Sequence, residues 1–360
     1  MKSLVLLLGA LVWNGCGDDA GLGSGGLGGD CEAKVLLGDY VVRSSEDATR
    51  LERDGGCDYA IAGDLEITQT RLRVFENLNQ LSAVGGDLTI HDNEGLQSFA
   101  GLNDLATVRG NVHIFDNEAL VNLEGLSFLQ TVSGDLRVFR NDRLVDVDGL
   151  FKVATVGGDV HINNNNKLAQ LDGLFGLVTV VGSLIIEFNP SIELIEDMSN
   201  LRNVGADLVI ENNFGMEKIE DVSGLTGVGG SLRIGQNAAL DIVEDMTGLV
   251  SVGGDLSIYS NERLTSIEGL VGLILVGGDL NIYNNDKLTD LEGLDSLAQV
   301  GKDLNIYDNE KLADLGGLAG LVDIGAKLFI VENTNLPTSQ AQALADRATP
   351  GEVSIVDNKN

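Results

Sequence analysis

The chain has 360 residues and a formal net charge of −32 at pH 7, from 55 acidic residues against 23 lysines and arginines. Nucleic acid and anionic lipid headgroups are bound through excess positive charge, so this balance argues against both as ligands. It leaves cations and basic protein surfaces as candidate partners.

The first 15 residues predict a lipoprotein signal peptide. Lys2 gives a positive start, and residues 4–13 form an apolar stretch that is too short to span a bilayer comfortably. Asn14-Gly15-Cys16 then resembles the lipobox of bacterial lipoproteins, which implies cleavage before Cys16 and a lipid on its sulfur. An ordinary secretory signal is the alternative. We therefore expect an exported protein, anchored to the membrane by lipid at the bacterial outer membrane or cell surface.

Residues 16–30 follow as the lipidated cysteine and a tether. Half of the residues from 17 to 30 are glycine, so this segment cannot build a core and predicts a flexible linker that spans roughly 20 Å. If Cys16 carries lipid, Cys31 and Cys57 remain. An oxidising exported setting favours a disulfide between them, worth about 3 kcal/mol by chain entropy; two free buried thiols are the alternative.

Residues 31–62 predict an N-terminal cap. Residues 34–43 are typical of a strand, and Ser44-Ser45-Glu46-Asp47 has the composition of a helix start, with the helix running to about Arg53. The open end of a repeat array exposes an unpaired edge, which explains the need for such a cap.

Residues 63–336 consist of repeats, and their spacing is 24 residues without slip from Gly86 to Ala326. Their signature is Gly-Asp-Leu-x-Ile-x-x-Asn, as in the segments that begin at Gly86, Gly134, Gly254 and Gly278. Self-similarity at a fixed period of this size is typical of solenoid proteins, whose units are too small to fold alone. We therefore predict about 13 stacked coils, in a rod of roughly 60 Å.

Within one unit, Leu256 and Ile258 alternate with polar residues, which predicts a short strand with one buried face. Apolar residues then recur at every third position, a spacing that fits neither an α-helix nor a strand. It fits 3₁₀ turns or extended coils. The positions are Leu264, Ile267, Leu270, Leu273 and Val276. The sequence therefore predicts a parallel β-solenoid with one strand in each coil.

One asparagine closes each signature. A buried amide must be hydrogen-bonded, so we predict a structural ladder in which each side chain bonds the backbone of its own turn and of the next coil. Its members are Asn93, Asn117, Asn141, Asn165, Asn189, Asn213, Asn237, Asn261, Asn285, Asn309, Asn333 and Asn358.

Residues 337–360 predict a C-terminal cap. Pro337-Thr-Ser suits the start of a helix that continues through Ala348, and Pro350-Gly351 ends it. Residues 351–358 then predict one final strand.

The repeats resemble the receptor L domain, the leucine-rich solenoid of growth-factor receptor ectodomains, and are more similar still to bacterial surface lipoproteins built from many such units. The similarity lies in Cys57-x-x-x-Ile61-x-Gly63-x-Leu65-x-Ile67 and in stretches such as Leu120 to Gly134. It covers about residues 31–360. The resemblance implies a right-handed, leucine-rich-repeat type of parallel β-helix that binds proteins through its sheet face or flanks, without catalysis.

Two patches on the predicted outer strand face are candidate ligand sites, because exposed aromatic side chains on a rigid sheet are typical of interfaces. The first patch is Tyr259, Tyr283 and Tyr307, flanked by Asn281, Asn305 and Phe329. The second is His91, His113, Phe115, Arg137, Phe139, Arg140 and His161. The alternative is that these side chains stabilise the sheet by cross-strand contact.

Acidic residues also recur with the repeat. One column is Asp64, Asp87, Asp135, Asp159, Asp207, Asp255, Asp279 and Asp303; another set is Glu196-Asp197, Glu220-Asp221 and Glu244-Asp245. Stacked carboxylates repel one another, and calcium would relieve that repulsion. The alternative is that each aspartate accepts hydrogen bonds from its own turn. No calcium-binding loop motif is present, so we predict no metal site and no cofactor.

The sequence contains none of the common catalytic motifs, and its histidines lack metal-ligand spacing. We therefore expect a non-enzymatic surface protein that recognises a protein or a glycan through the strand face. A structural envelope protein that associates with itself is the alternative.

Overall fold

The computed structural model describes residues 33–75 and 77–359. The predicted signal peptide, Cys16, the tether and Cys31 lie outside the described residues. Cys57 is disulfide-bonded. Since Cys31 is not described, its pairing with Cys57 stays a prediction.

Each repeat forms one turn of a parallel β-solenoid, which confirms the predicted fold class. The signature strands stack in register, so that Leu256 pairs with Leu280 and Leu280 with Leu304. They form a sheet of 14 strands, here named the broad sheet. Its strands are Tyr40–Val42, Leu65–Thr68, Leu88–His91, Val112–Phe115, Leu136–Phe139, Val160–Asn163, Leu184–Glu187, Leu208–Glu211, Leu232–Gly235, Leu256–Tyr259, Leu280–Tyr283, Leu304–Tyr307, Lys327–Val331 and Glu352–Val356.

A second parallel sheet of 13 strands, here named the narrow sheet, was not predicted. Its strands precede the glycine corner of each coil, and most have only two residues, which is too short for alternation to be visible in the sequence. They are Lys34–Leu36, Tyr59–Ile61, Leu81–Val84, Thr107–Val108, Thr131–Val132, Thr155–Val156, Thr179–Val180, Asn203–Val204, Gly227–Val228, Ser251–Val252, Leu275–Val276, Gln299–Val300 and Asp323–Ile324.

The third side of each coil carries the residues with threefold spacing. Four coils form the predicted 3₁₀ turns here, at Asp148–Leu150, Asp172–Leu174, Glu268–Leu270 and Gly316–Leu318. Three other coils instead form a small parallel sheet from Leu194–Ile195, Lys218–Ile219 and Ile242–Val243. Both solutions turn the apolar side chains inward, where Leu264, Ile267 and Leu270 are fully buried.

Helices lie near both ends, as predicted. Helix α1 spans Ser45–Gly55, and the Ser44 hydroxyl accepts the Asp47 N–H at 3.2 Å as its N-cap. Helix α2 spans Thr338–Ala348. The predicted single strand over residues 34–43 is wrong: Gly38, with a φ of +93°, divides it into one strand for each sheet.

The asparagine side chains lie inside the rod, and those from Asn93 to Asn333 have no exposed surface. Asn117 shows the pattern: its Nδ2 donates to the carbonyls of Phe115 and of Ile90 in the preceding coil, each at 3.0 Å. Its Oδ1 accepts from Asn93 Nδ2 at 2.9 Å, and its own N–H donates to Asn141 Oδ1 at 3.2 Å. The ladder therefore joins each coil to both neighbours.

The residue before each ladder asparagine has a left-handed backbone. At Asp92, Arg140 and Glu332, for example, φ lies at 53°, 53° and 60°. This conformation costs an ordinary residue about 1–2 kcal/mol. After these three residues, the amides of Asn93, Asn141 and Asn333 bond the carbonyl two residues earlier, which offsets the cost and holds the turn.

Substitution of Asn213 by leucine tests the ladder. Asn213 accepts the Asn189 N–H at 3.0 Å and donates to the Ile186 carbonyl at 2.9 Å, and leucine would leave both groups buried and unpaired. We expect a loss of about 1–3 kcal/mol for each group, measured by urea denaturation.

Asn166→Leu is the matched control, because Asn166 is exposed and its side-chain amide donates to the exposed Asp142 side chain at 2.7 Å. We expect that variant to change the free energy of unfolding by about 0.5 kcal/mol or less. Equal urea midpoints for the two variants would contradict a stabilising ladder.

Candidate recognition face

The outer face of the broad sheet displays two columns of side chains, one from the fourth and one from the sixth position of each repeat. The third and fifth positions point inward: Leu256 and Ile258 are fully buried, whereas Ser257 and Tyr259 between and after them are half-buried. Because neighbouring strands pair without a shift, equal positions lie side by side along the rod.

The tyrosine row consists of Tyr259, Tyr283 and Tyr307 in the sixth-position column. The ring centroids of Tyr259 and Tyr283 lie 5.1 Å apart, those of Tyr283 and Tyr307 4.7 Å apart, and the ring planes are within 17° of parallel. Phe329 meets Tyr307 edge to face at 5.9 Å. Parallel rings that overlapped fully would have centroids about 3.5–4.0 Å apart. The longer distances here show that neighbouring rings are offset and overlap only in part.

Gly235 sets how Tyr259 lies on the sheet. A Cβ on Gly235 would come within 2.4 Å of the Tyr259 ring, so the ring lies over the glycine backbone. The Tyr259 hydroxyl thereby reaches Glu211 Oε1, two coils away, at 2.9 Å. Burial, and then this hydrogen bond, raise the pKa of Tyr259 above its usual range. The sequence analysis missed Gly235, although a glycine inside a strand often marks such a close approach.

The predicted neighbours of the tyrosine row lie in the fourth-position column. Asn305 Nδ2 donates to Asn281 Oδ1 at 2.9 Å, and Asn281 Nδ2 donates to Ser257 Oγ at 3.2 Å. This amide file runs beside the rings and keeps hydroxyl and amide groups at the half-buried surface.

The second patch contains a second aromatic row, of His91, Phe115 and Phe139. Its centroids lie 4.9 and 4.8 Å apart, with planes within 9° of parallel. Glu66 Oε1 and Asp92 Oδ2 lie 3.1 and 2.8 Å from the two nitrogens of His91. This row therefore ends in a hydrogen-bonded histidine.

His113, Arg137 and His161 lie side by side in the fourth-position column. Arg137 pairs with Asp135 at 2.8 Å, and His161 lies 3.0 Å from Glu187. Burial lowers the pKa of His113, and the neighbouring Arg137 guanidinium lowers it further. Each positive group of this patch therefore has an acidic partner or a suppressed charge, and the patch is not a free cationic surface.

Arg140 comes directly after its strand and remains in contact with the second patch, because its guanidinium carbon lies 5.3 Å from the Phe139 ring centroid. It occupies the left-handed seventh position, where the chain leaves the sheet, and it pairs with Asp116 at 2.7 Å beside a lateral groove. The seventh position therefore faces the groove, and only the fourth and sixth positions tile the sheet.

The first acidic column forms a second hydrogen-bond ladder. Asp255 Oδ1 accepts the Asp279 N–H at 2.9 Å, and Asp279 Oδ1 accepts the Asp303 N–H at 3.0 Å. The bonds cross to the next coil and do not remain within one turn, which corrects that part of the alternative interpretation. One oxygen of each carboxylate is thereby engaged in holding the stack.

The Glu-Asp pairs mark a change of backbone. Asp197, Asp221 and Asp245 have left-handed φ values of 54–59° and directly follow the Glu residues that succeed the small third sheet. In other coils, the glycine in this slot packs against the preceding coil: a Cβ on Gly173 would lie 1.9 Å from the Val147 carbonyl oxygen. The glycine is replaced where the chain turns differently.

Within residues 33–75 and 77–359, no group of three or more His, Cys, Asp or Glu side chains is arranged to hold a metal ion. In the same part of the chain, no helix combines the length and apolar character needed to cross a membrane.

The sequence analysis also missed an apolar patch away from the broad sheet. Phe128, Phe151 and Phe175 come from consecutive coils and are 50%, 43% and 49% exposed. The Lys152 ammonium lies 3.7 Å from the Phe128 ring centroid, in a cation–π contact. Phe151 and Phe175 occupy the same position of the repeat, whereas Phe128 lies one position later in its coil, so the sequence pattern does not align the three rings.

The sequence was compared with protein-family models and with curated proteins, and neither comparison finds a match. The resemblance to receptor L domains therefore stays a prediction that the repeat sequence supports.

His113 gives a pH-dependent prediction. Its lowered pKa means that protonation favours the unfolded chain, so stability is lost as the pH falls below the ordinary value of 6.5. We expect His113→Gln to lose less melting temperature than the wild type between pH 7 and pH 5. His161→Gln, in the same column, is the control, and parallel profiles for wild type and His113→Gln would exclude the effect.

Chelation gives a second prediction. Backbone N–H groups already donate hydrogen bonds to the aspartate ladder. We therefore expect about 5 mM EDTA, about a thousandfold molar excess over the protein, to change the melting temperature by no more than about 1 °C. A drop of several degrees that added calcium restores would reinstate the calcium hypothesis.

Proposed function

We propose that this chain is a non-enzymatic recognition protein, held by lipid on Cys16 at the bacterial outer membrane or cell surface. The outer face of the broad sheet binds a protein or a glycan. One observation carries the proposal: two rows of stacked aromatic side chains stand in register on a face that is fixed by the buried asparagine ladder and the half-buried aspartate ladder.

Pre-organisation supports this function. Stacked rings have already lost much of their rotamer freedom, so a ligand that covers them has less ordering entropy to overcome. Tyrosine in particular combines a large apolar surface with a hydroxyl, which suits an interface core. The repeat also spaces the acidic groups regularly along the rod, an arrangement that suits a scaffold better than a catalytic pair.

Photo-crosslinking tests the proposal in the producing cell. A benzophenone amino acid at Asn281 or at Phe115 reports on the sheet face, and the same group at the exposed Thr226, beside the narrow sheet, is the control. We expect a distinct adduct from one or both sheet positions and none from Thr226. Equal adducts from all three positions, or none from any, would contradict recognition by this face.

Self-association as an envelope scaffold is a second candidate, favoured by one symmetry. The two aromatic rows lie at equal distances on either side of the boundary between the strands Leu184–Glu187 and Leu208–Glu211. Two strands separate each row from that boundary. A twofold contact between antiparallel rods would therefore lay each row on the other row of the second copy. In this dimer, Glu187 of one copy would face Glu211 of the other, and each copy has a net charge of −32. Both effects are repulsive, so the dimer requires high salt.

Sedimentation equilibrium of the full-length protein separates the two functions. Recognition of another molecule predicts a monomer mass at 0.15 and 1 M salt alike. A dimer that forms at high salt and is lost in Tyr283→Ala would favour the scaffold.

A further inference from the structure

The tyrosine row and the amide file lie on a strip of the broad sheet that carries no charge at its fourth and sixth positions. From Ser257 to Val356, the fourth and sixth positions of the described strands are Ser, Tyr, Asn, Phe and Val only. The strands before this strip carry Glu66, Arg137, Glu187, Glu211 and Arg233 at the same positions. In a chain with 22% charged residues, five consecutive strands without a charge at these two positions distinguish this part of the face.

We propose that this strip binds an uncharged polysaccharide whose chain runs along the rod axis. The proposal rests on the recognition function above and names its ligand class. Hydroxyl and amide groups both donate and accept hydrogen bonds, which matches a ligand covered with hydroxyl groups. The offset rings supply apolar surface for the C–H faces of sugar rings.

The period of the strip favours a periodic ligand. Asn281 with Tyr283, and Asn305 with Tyr307, present the same pair on neighbouring strands, with ring centroids 4.7 Å apart. An extended peptide repeats every two residues, about 6.6–6.8 Å, which does not match the coil spacing. A polysaccharide carries hydroxyl groups along its whole length, so the amide and hydroxyl groups of every coil can bond it.

The strip is held in position at its first ring. Gly235 leaves room for the Tyr259 ring, and Glu211 Oε1 accepts its hydroxyl proton at 2.9 Å. The Tyr259 ring is therefore held against the sheet without a ligand. The Tyr283 ring stacks on the Tyr259 ring, and the Tyr307 ring stacks on the Tyr283 ring. The charge of −32 also disfavours acidic polysaccharides, whereas an uncharged chain meets no repulsion.

Affinity electrophoresis of the full-length protein tests the proposal. The native gels contain mixed-linkage β-glucan, xyloglucan or galactomannan as uncharged probes, and polygalacturonate as the acidic probe. We expect at least one uncharged probe to slow the protein and polygalacturonate not to slow it. If no uncharged probe slows the protein, or if the acidic probe slows it more, the proposal is wrong.

Three variants locate the binding surface. Tyr283→Ala removes the middle ring, and we expect it to weaken retardation at least tenfold. Gly235→Ala displaces the Tyr259 ring, and we expect a smaller loss in the same direction. Phe115→Ala removes the middle ring of the other row and is the matched control, expected within twofold of wild type. Melting temperatures of all three variants are measured beside the gels.

The outcomes separate this proposal from the broader one. Retardation lost equally in Tyr283→Ala and Phe115→Ala would place the polysaccharide elsewhere and overturn the strip. Absence of retardation together with a protein adduct from a crosslinker at Asn281 would overturn the polysaccharide and keep recognition. Absence of both would overturn both. A loss of retardation in Tyr283→Ala that only parallels a loss of melting temperature would show sheet support and overturn the strip as the binding surface.

Discussion

The rest of the structure depends on the amide bonds of the buried asparagines. Each amide reaches the preceding coil, and most also bond their own turn, while the oxygen accepts from the preceding coil and fixes the distance between turns, as at Asn117. An amide that lost these partners would leave buried groups unpaired, at about 1–3 kcal/mol each. The ladder therefore favours the 24-residue spacing that runs from Asn93 to Asn333, and the final coil reaches Asn358 across 25 residues with the same bonds.

A fixed period has a consequence for the surface. The third and fifth positions of each repeat build the core, so the residues at the fourth and sixth positions are free to vary. Along the rod, each of these two positions forms one column of side chains, with one residue from each coil. Similar residues in consecutive repeats become rows of touching side chains, as in Tyr259, Tyr283 and Tyr307. The same register that satisfies the core thus creates extended, regular surfaces from single residue choices.

The sequence predicted the solenoid, its buried positions and the helices near its ends, because each depends on a pattern that repeats many times. It did not predict features that depend on one close contact or on very short elements. The two-residue strand Thr131–Val132 shows no alternation, the Tyr259 ring over Gly235 depends on three-dimensional proximity, and Arg140 leaves the sheet because its backbone is left-handed. The repeat pattern predicts where each residue lies on the backbone, whereas three-dimensional packing determines which groups its side chain contacts.

Charge links the fold to the partners it can accept. Neighbouring coils are closer together than the Debye length of about 8 Å at physiological salt, so the periodic carboxylates act as one anionic surface. The aspartate ladder uses some of that charge to hold backbone N–H groups, as at Asp279, while the charge as a whole opposes a second copy of the chain. An uncharged strip on such a rod excludes acidic partners at long range and binds through contact alone. Its selectivity therefore depends on ring spacing and hydrogen bonding, which are the two quantities that the ladders fix.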